Sequence, residues 1–146
     1  MIYLASDHGG FALKEKIKAQ VSEMGYEFED CGDKSLDPND DFVDFASLAA
    51  SKIKSPDSGI FLCRNGVGVD NVANRYPHLR SVLGFDSQQV ERARADDSCN
   101  VLSLPSDYVS EKKALQLVEA FLNTKFSGEE RYIRRLEKLD KLKAQS

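Results

Sequence analysis

A chain of 146 residues has the length of one domain, large enough to bury a core and too short for two. Its 41% hydrophobic and 30% charged residues make a globular composition, and no apolar run approaches the ~18 residues of a membrane span. A net charge of -4 argues against the broad basic field of a nucleic-acid binder, so any anion site must be local. The opening Met1-Ile2-Tyr3-Leu4-Ala5-Ser6-Asp7 has neither the basic start nor the apolar length of a signal peptide, and a cytoplasmic protein is expected. Cys31, Cys63 and Cys99 are too few and too widely spaced for a disulfide framework or a C-x-x-C metal site, so free thiols and no metal are expected.

Residues 1–6 read as a strand, after which Leu13, Ile17, Val21 and Met24 recur at helical spacing until Gly25 supplies a stop. A second strand is predicted over 26–31 and a second helix over 42–54, with Phe45, Leu48, Ala49 and Ile53 on one face. Between them, residues 32–41 form an acidic, turn-rich segment that reads as a linker. The apolar run 59–62 has the residue types of a buried parallel strand and leads through a glycine turn into a helix over 69–75. A strand over 79–85, a polar helix from 87 to about 96 and a strand over 101–104 follow. Ser110 is the expected N-cap of a helix through Asn123 that buries Ala114, Leu117, Val118, Phe121 and Leu122, and a charged helix closes the chain over about 128–144. Alternating strands and helices with short links predict one α/β domain: a doubly wound, Rossmann-like three-layer α/β/α fold with a five-stranded parallel sheet. Ligands of such folds sit beyond the carboxyl ends of the strands, where Asp7, His8, Cys63 to Gly68 and Asp86 are expected to gather.

Three groups of residues carry candidate chemistry. In Cys63-Arg64-Asn65-Gly66-Val67-Gly68, a strand, a glycine turn and a helix start together form an anion cradle, with the Gly66 and Gly68 N–H groups and the helix dipole facing one oxyanion. A thiol in such a place tends to lose its proton. The plainer reading is a buried cysteine beside glycines that serve only the turn. In Ser6-Asp7-His8-Gly9-Gly10, Asp7 is placed to hold a sugar hydroxyl while His8 faces an anion, the ordinary alternative being a helix cap. Arg131 and Arg135, four residues apart, share a helix face that would clamp a phosphate, unless they belong to a solvated charged face like the Glu130 and Arg134 pair. The Asn65-Gly66-Val67-Gly68 turn lacks the third glycine and the downstream acid of a dinucleotide site.

Four ordered motifs covering nearly the whole chain resemble the ribose-5-phosphate isomerase B and galactose-6-phosphate isomerase family. Ser6-Asp7-His8-Gly9-Gly10-Phe11-Ala12-Leu13-Lys14 is similar to that family's opening block. Cys63 to Gly68 with Ala73-Asn74-Arg75 and Arg80 resembles its glycine-loop block, and Asn100-Val101-Leu102 and Arg131 with Arg135 fall in its order and spacing. The resemblance implies aldose–ketose isomerisation of a sugar phosphate without metal or organic cofactor. It assigns Cys63 as the base that moves a proton through an enediolate, and Asp7 with the Asn65, Gly66, Val67 and Gly68 loop to the hydroxyls. It brings His8, Arg131 and Arg135 toward the phosphate, the two arginines at a site shared between subunits of a homodimer.

The pattern departs at a cluster of positions. Asp96 stands where the family has its ring-opening histidine, Asp97 where an asparagine follows it, and Asp107 where an arginine helps to hold phosphate. Arg64 replaces a glycine and Asn65 a threonine or serine. A carboxylate about 4 Å from a phosphate costs on the order of 4 kcal/mol at an effective dielectric near 20, so these replacements oppose phosphate binding unless compensated. Arg64 is the visible compensation, either as the cation lost at Asp107 or as a partner of Asp96 or Asp97. Asp96 is retained as a candidate base for opening the sugar ring, and Asp97 as a binding residue. Two functions follow: an isomerase with Cys63 as its base, or a non-catalytic member that binds a sugar phosphate or stabilises a paired subunit.

Overall fold

The apolar runs of the sequence lie side by side as one sheet in the computed structural model, which describes residues 1–142. The strands are β1 (Ile2–Ser6), β2 (Phe28–Asp30), β3 (Ser58–Cys63), β4 (Ser81–Leu83) and β5 (Val101–Pro105), all parallel, in the order β2-β1-β3-β5-β4. They alternate with α1 (Phe11–Glu23), α2 (Phe42–Lys52), α3 (Val67–Asn74), α4 (Ser87–Asp97) and α5 (Glu111–Asn123), and α6 (Glu130–Asp140) follows. This is the doubly wound α/β/α architecture that the alternation predicts.

Strand alternation divides the core into two layers. Leu4, Ile60, Leu62, Leu102 and Leu104 face α1, α4 and α5, where they meet Ile17, Val21, Val90, Leu117 and Phe121. Ala5, Phe61, Cys63 and Val101 face α2 and α3, against Ala46, Ala49, Ala50, Val69 and Ala73. Each fully buried Leu, Ile or Phe contributes roughly 1.5–3 kcal/mol, enough to fix strand register, because a one-residue slip would turn every one of them to the wrong layer. That register pairs Ser6 with Leu62 and Cys63 with Pro105, so Asp7, Cys63 and the residue after Pro105 emerge together at one sheet edge. The chain leaves β1 for β2 on one side and returns to β3 on the other, which makes this edge the switch point of the sheet.

Several boundaries and faces differ from the sequence-based expectation. Helix α2 ends at Lys52, and its buried stripe is Ala46, Ala49 and Ala50, with Phe45 half-buried and Leu48 exposed. Alanines let the helix sit close on the sheet, which turns the bulkier side chains to its flanks. Helix α3 begins at Val67 because Gly66 takes a left-handed conformation (φ 76°) that starts it two residues early. Strands β2 and β4 are shorter than expected, and Phe85 lies exposed beyond β4. The Ser110 cap is present, its hydroxyl accepting from Lys113 N at 3.1 Å. Asp86 is also a cap, accepting from Gln88 N and Gln89 N, and its carboxylate serves α4 rather than a ligand crevice. The last helix starts at Glu130 rather than 128, and residues 143 and 144 of the expected helix lie outside the described residues. None of the residues of α6 is buried, and Ile133 and Leu139 on it are exposed. Among the described residues no helix is long and apolar enough to cross a membrane.

Candidate functional site

The site is built where β1, β3 and β5 end. Asp7, buried, accepts from Gly9 N at 3.0 Å through Oδ1 and caps a single 3-10 turn, His8–Gly10, that leads into α1. That turn lies against β3 so closely that a Cβ on Gly10 would meet Leu62 Cβ at 2.6 Å. Ser106 fastens the turn from the other side, its hydroxyl placed 2.6 Å from the Gly9 carbonyl and 3.1 Å from the Cys63 carbonyl. Its backbone N–H also donates to the Cys63 carbonyl at 2.9 Å, so one residue after β5 holds both halves of the site together.

Cys63 is the last residue of β3, 5% exposed, with Sγ 3.8 Å from Asn65 Oδ1. The same Oδ1 accepts from Val67 N at 3.0 Å, so Asn65 closes the turn and takes up the amide between the two glycines. No acceptor among the described residues engages the Gly66 or Gly68 N–H, and these two amides stand at the start of α3 as the sequence predicts. A side chain at Gly66 would approach Leu83 Cδ1 to 2.6 Å and Pro105 N to 2.9 Å, and the positive φ adds strain of its own. The other two thiols are unsuited to chemistry: burial first, then the neighbouring carboxylates, pushes Cys31 and Cys99 up to about 12.

His8 is fixed by the segment that the sequence presents as a linker. Its Nδ1 lies 2.6 Å from Asp40 Oδ1, and its backbone N–H donates to the same oxygen at 3.1 Å. That hydrogen bond is the main reason why the imidazole is raised above the ordinary histidine value, with burial opposing it and the Asp7 charge helping. Asp7, His8 and Asp40 bring ligand-type atoms within 4.8 Å of one another, the one group with metal-ligand spacing among the described residues, but His8 and Asp40 already satisfy each other. Behind Asp40 lies Asp33, also buried, and behind both is Lys14. The Lys14 ammonium is fully buried, 2.9 and 2.8 Å from the two Asp30 oxygens, and donates to the Asp33 carbonyl. Asp33, Asp40 and Lys14 are absent from the sequence-based list. The signal for Lys14 was its place in the opening motif; the two acids carried none.

Arg64 lies across Gly9 and reaches Asp107 at 3.5 Å, both side chains largely exposed. The fold pairs Arg64 with neither Asp96 nor Asp97 but sets it beside Asp107, so the carboxylate on this rim is balanced by a cation. The remaining candidates do not join this crevice within one chain. Asp96 and Asp97 end α4, which runs back toward the opposite end of the sheet, and Asp96 sits 3.7 Å from Arg92. Arg131 and Arg135 lie on α6, which packs beside α4, with their guanidinium groups over the Tyr132 ring at 4.7 and 5.7 Å. A hollow of about 560 Å³ lined by His78, Arg80, Arg94 and Asn100 is likewise at the amino ends of the strands. There Asn100 is structural, bridging Arg80 N and the His78 carbonyl.

Known proteins share this fold and sequence over nearly the whole chain. Residues 2–139 match the model of the family described as Ribose/Galactose Isomerase. The chain belongs to this family. It is 36% identical over 141 residues to the Mycoplasma genitalium protein named probable ribose-5-phosphate isomerase B, covering 94% of this chain and 92% of the relative. The crystal structure of that enzyme with bound ribulose-5-phosphate superposes with a TM-score of 0.91 over 95% of this chain and 93% of the other. The ribose 5-phosphate isomerase of Thermotoga maritima gives 0.90 at 37% identity, covering 97% of each chain. A 4-deoxy-4-sulfo-D-erythrose isomerase of a Clostridium species is 32% identical over 130 residues, covering 86% of this chain and 80% of the relative. This member of the ribose/galactose isomerase family places Asp7, His8 and Cys63 together at the sheet edge and carries an arginine–aspartate pair on its rim.

Proposed function

We propose that this chain is an aldose–ketose isomerase acting on a sugar phosphate of the ribose 5-phosphate and ribulose 5-phosphate type. The observation that carries the reading is the convergence of Cys63, Asp7 and the two unengaged glycine amides on one level of the sheet edge. Cys63 as thiolate removes the proton from the carbon next to the carbonyl, which leaves a cis-enediolate. The resulting thiol then returns that proton to the neighbouring carbon while the hydroxyl proton of the enediolate passes from one oxygen to the other, so atoms and charge balance without a cofactor. The Gly66 and Gly68 N–H groups face the developing oxyanion at the start of α3, where fixed donors are most effective. Asp7 holds a sugar hydroxyl, and His8 and Arg64 meet the phosphate.

The separation of the site residues into two groups supports a homodimer. Asp96, Asp97, Arg131 and Arg135 are remote from their own Cys63, and α6 offers an apolar stripe with Ile133 and Leu139 uncovered. A second copy would bring Arg131 and Arg135 to the phosphate and Asp96 to the ring oxygen. Free cysteines fit a reducing, cytoplasmic setting.

One observation favours the second reading, a non-catalytic binder: acidic residues stand at 96 and 107, where a histidine and an arginine are expected. Solvent-deuterium exchange into a panel of pentose and hexose phosphates and a sulfo-sugar, followed by NMR, separates the two. Exchange that is lost in Cys63→Ala supports the isomerase. Binding without exchange for every member of the panel overturns it.

A further inference from the structure

The acids behind His8 have an imbalance of donors and acceptors. Asp40 Oδ1 accepts twice from His8, and Asp33 Oδ1 accepts from Ser35 N at 2.9 Å. Asp40 Oδ2 and Asp33 Oδ2 are both buried and both without a conventional donor. The two carboxyls are neighbours, each shifting the titration of the other. Two ionised carboxylates are acceptors only, so one proton between them supplies the donor that both orphaned oxygens lack. The surroundings allow the pair to carry a single negative charge. Lys14 of α1 stands behind Asp33, while His8 and Asp7 face Asp40 from the end of β1, and Arg64 lies near His8 with Asp107 beyond it.

We infer that Asp33 and Asp40 share one proton, and that Asp40 is thereby the positioning residue that holds His8 as an imidazolium with Nε2 presented to the phosphate. The phosphate half of this inference rests on the function proposed above; the proton half does not. Asp40 takes Nδ1, which leaves Nε2 without a bond among the described residues, the correct orientation for an anion donor. The shared proton keeps the acid pair at one charge rather than two, which limits the repulsion of an arriving phosphate. Burial together with the neighbouring Asp33 raises Asp40, and the bond from Asp40 lowers Asp33, the asymmetry expected of two coupled acids.

The chain has only two histidines, so His8 is directly readable by NMR of the ring Cε1–H, with His78 as an internal control. In the free wild-type protein His8 should titrate above an ordinary histidine. Asp40→Asn keeps a hydrogen-bond acceptor for Nδ1 but removes the charge, and the His8 midpoint should fall. Asp33→Asn supplies an amide donor in place of the shared proton, so the elevated His8 midpoint should persist. An infrared band of a neutral carboxylic acid at pH 7 should appear in the wild-type minus Asp33→Asn difference spectrum and be lost in Asp40→Asn. An unchanged His8 midpoint in Asp40→Asn overturns the positioning role, and absence of the acid band overturns the shared proton. For turnover, Asp40→Asn should raise KM for the sugar phosphate about tenfold at neutral pH, with kcat within about twofold, because a phosphate contact acts alike in ground and transition states. A lowered His8 midpoint with unchanged KM removes the phosphate from His8. A wild-type protein with no exchange activity sinks the isomerase reading, while the two spectroscopic measurements still decide the acid pair.

Discussion

Replacing Lys14 by methionine tests the buried network on which the site rests. The lysine side chain has no exposed surface, and its ammonium is shared between both Asp30 oxygens and the Asp33 carbonyl. Methionine fills nearly the same volume, so the loss is electrostatic. Asp30, with 11% of its side chain exposed, would keep only Lys18 at 3.0 Å and Gly32 N at 2.9 Å. Removing one partner of a buried pair costs about 3–5 kcal/mol, and the surviving Lys18 contact puts Lys14→Met at the lower end, about 3 kcal/mol. In a domain of this size that lowers Tm by roughly 6–12 °C. Urea unfolding gives the free energy and calorimetry the Tm. Lys18→Met, at a side chain that is 26% exposed, should cost about 1 kcal/mol or less. A Lys14→Met protein within about 1 kcal/mol of wild type would refute the reasoning, since it would mean that Asp30 and the Asp33 carbonyl find water when the lysine is removed. The pH dependence has a definite sign. Burial raises Asp30, but the Lys14 and Lys18 hydrogen bonds and the Gly32 N–H outweigh it and hold the carboxyl below its ordinary value. Its stabilising contribution is therefore complete above the unfolded value near pH 4 and is lost as the pH falls through the lower folded value. Lys14→Met should flatten the acid limb of the stability curve.

Four further outcomes follow from the geometry. Burial raises Asp70 while Ser81 and Ser103 offset only part of it, so stability should fall as the pH rises through its elevated folded value; Asp70→Asn removes that slope and stabilises by about 1 kcal/mol at neutral pH, measured by urea titration across pH. Arg64→Gly should change stability by less than about 0.5 kcal/mol because its pair is exposed, yet raise KM about tenfold by leaving Asp107 beside the phosphate; Arg64→Gly with Asp107→Ala should recover most of that loss in steady-state assays. Gly66→Ala should destabilise by roughly 1–3 kcal/mol and abolish exchange, since the new Cβ meets Leu83 and Pro105. For the homodimer proposed above, mixing the inactive Cys63→Ala and Arg131→Ala proteins under subunit exchange should restore about a quarter of wild-type activity, because half the dimers become mixed and each holds one intact site. No recovery on mixing would place Arg131 outside its partner's site.

The elements were legible because their signals are local. Helical spacing in Leu13, Ile17 and Val21, the Ser110 cap and the apolar run before Cys63 each depend on neighbours a few residues away, and each appears in the fold. The same holds for the placing of Asp7, His8 and Cys63, which follow or end strands whose parallel pairing brings strand ends together. Helix α2 shows where local reading fails: its apolar residues were apparent, but the choice of the alanine face over Leu48 depended on how near the helix could approach the sheet.

What the sequence alone determined, therefore, is the α/β order and the sheet edge at which Asp7, His8 and Cys63 gather. Only the tertiary structure decided the rest. It turned the acidic segment 32–41 from an apparent linker into the support of His8, by folding Asp33 and Asp40 over a turn more than twenty residues earlier in the chain. It paired Arg64 with Asp107 and sent Asp96, Asp97, Arg131 and Arg135 away from their own Cys63. The physical reason is range: helix and strand periods are encoded between near neighbours, whereas the pairing of buried charges depends on which distant segments the sheet brings within hydrogen-bond reach.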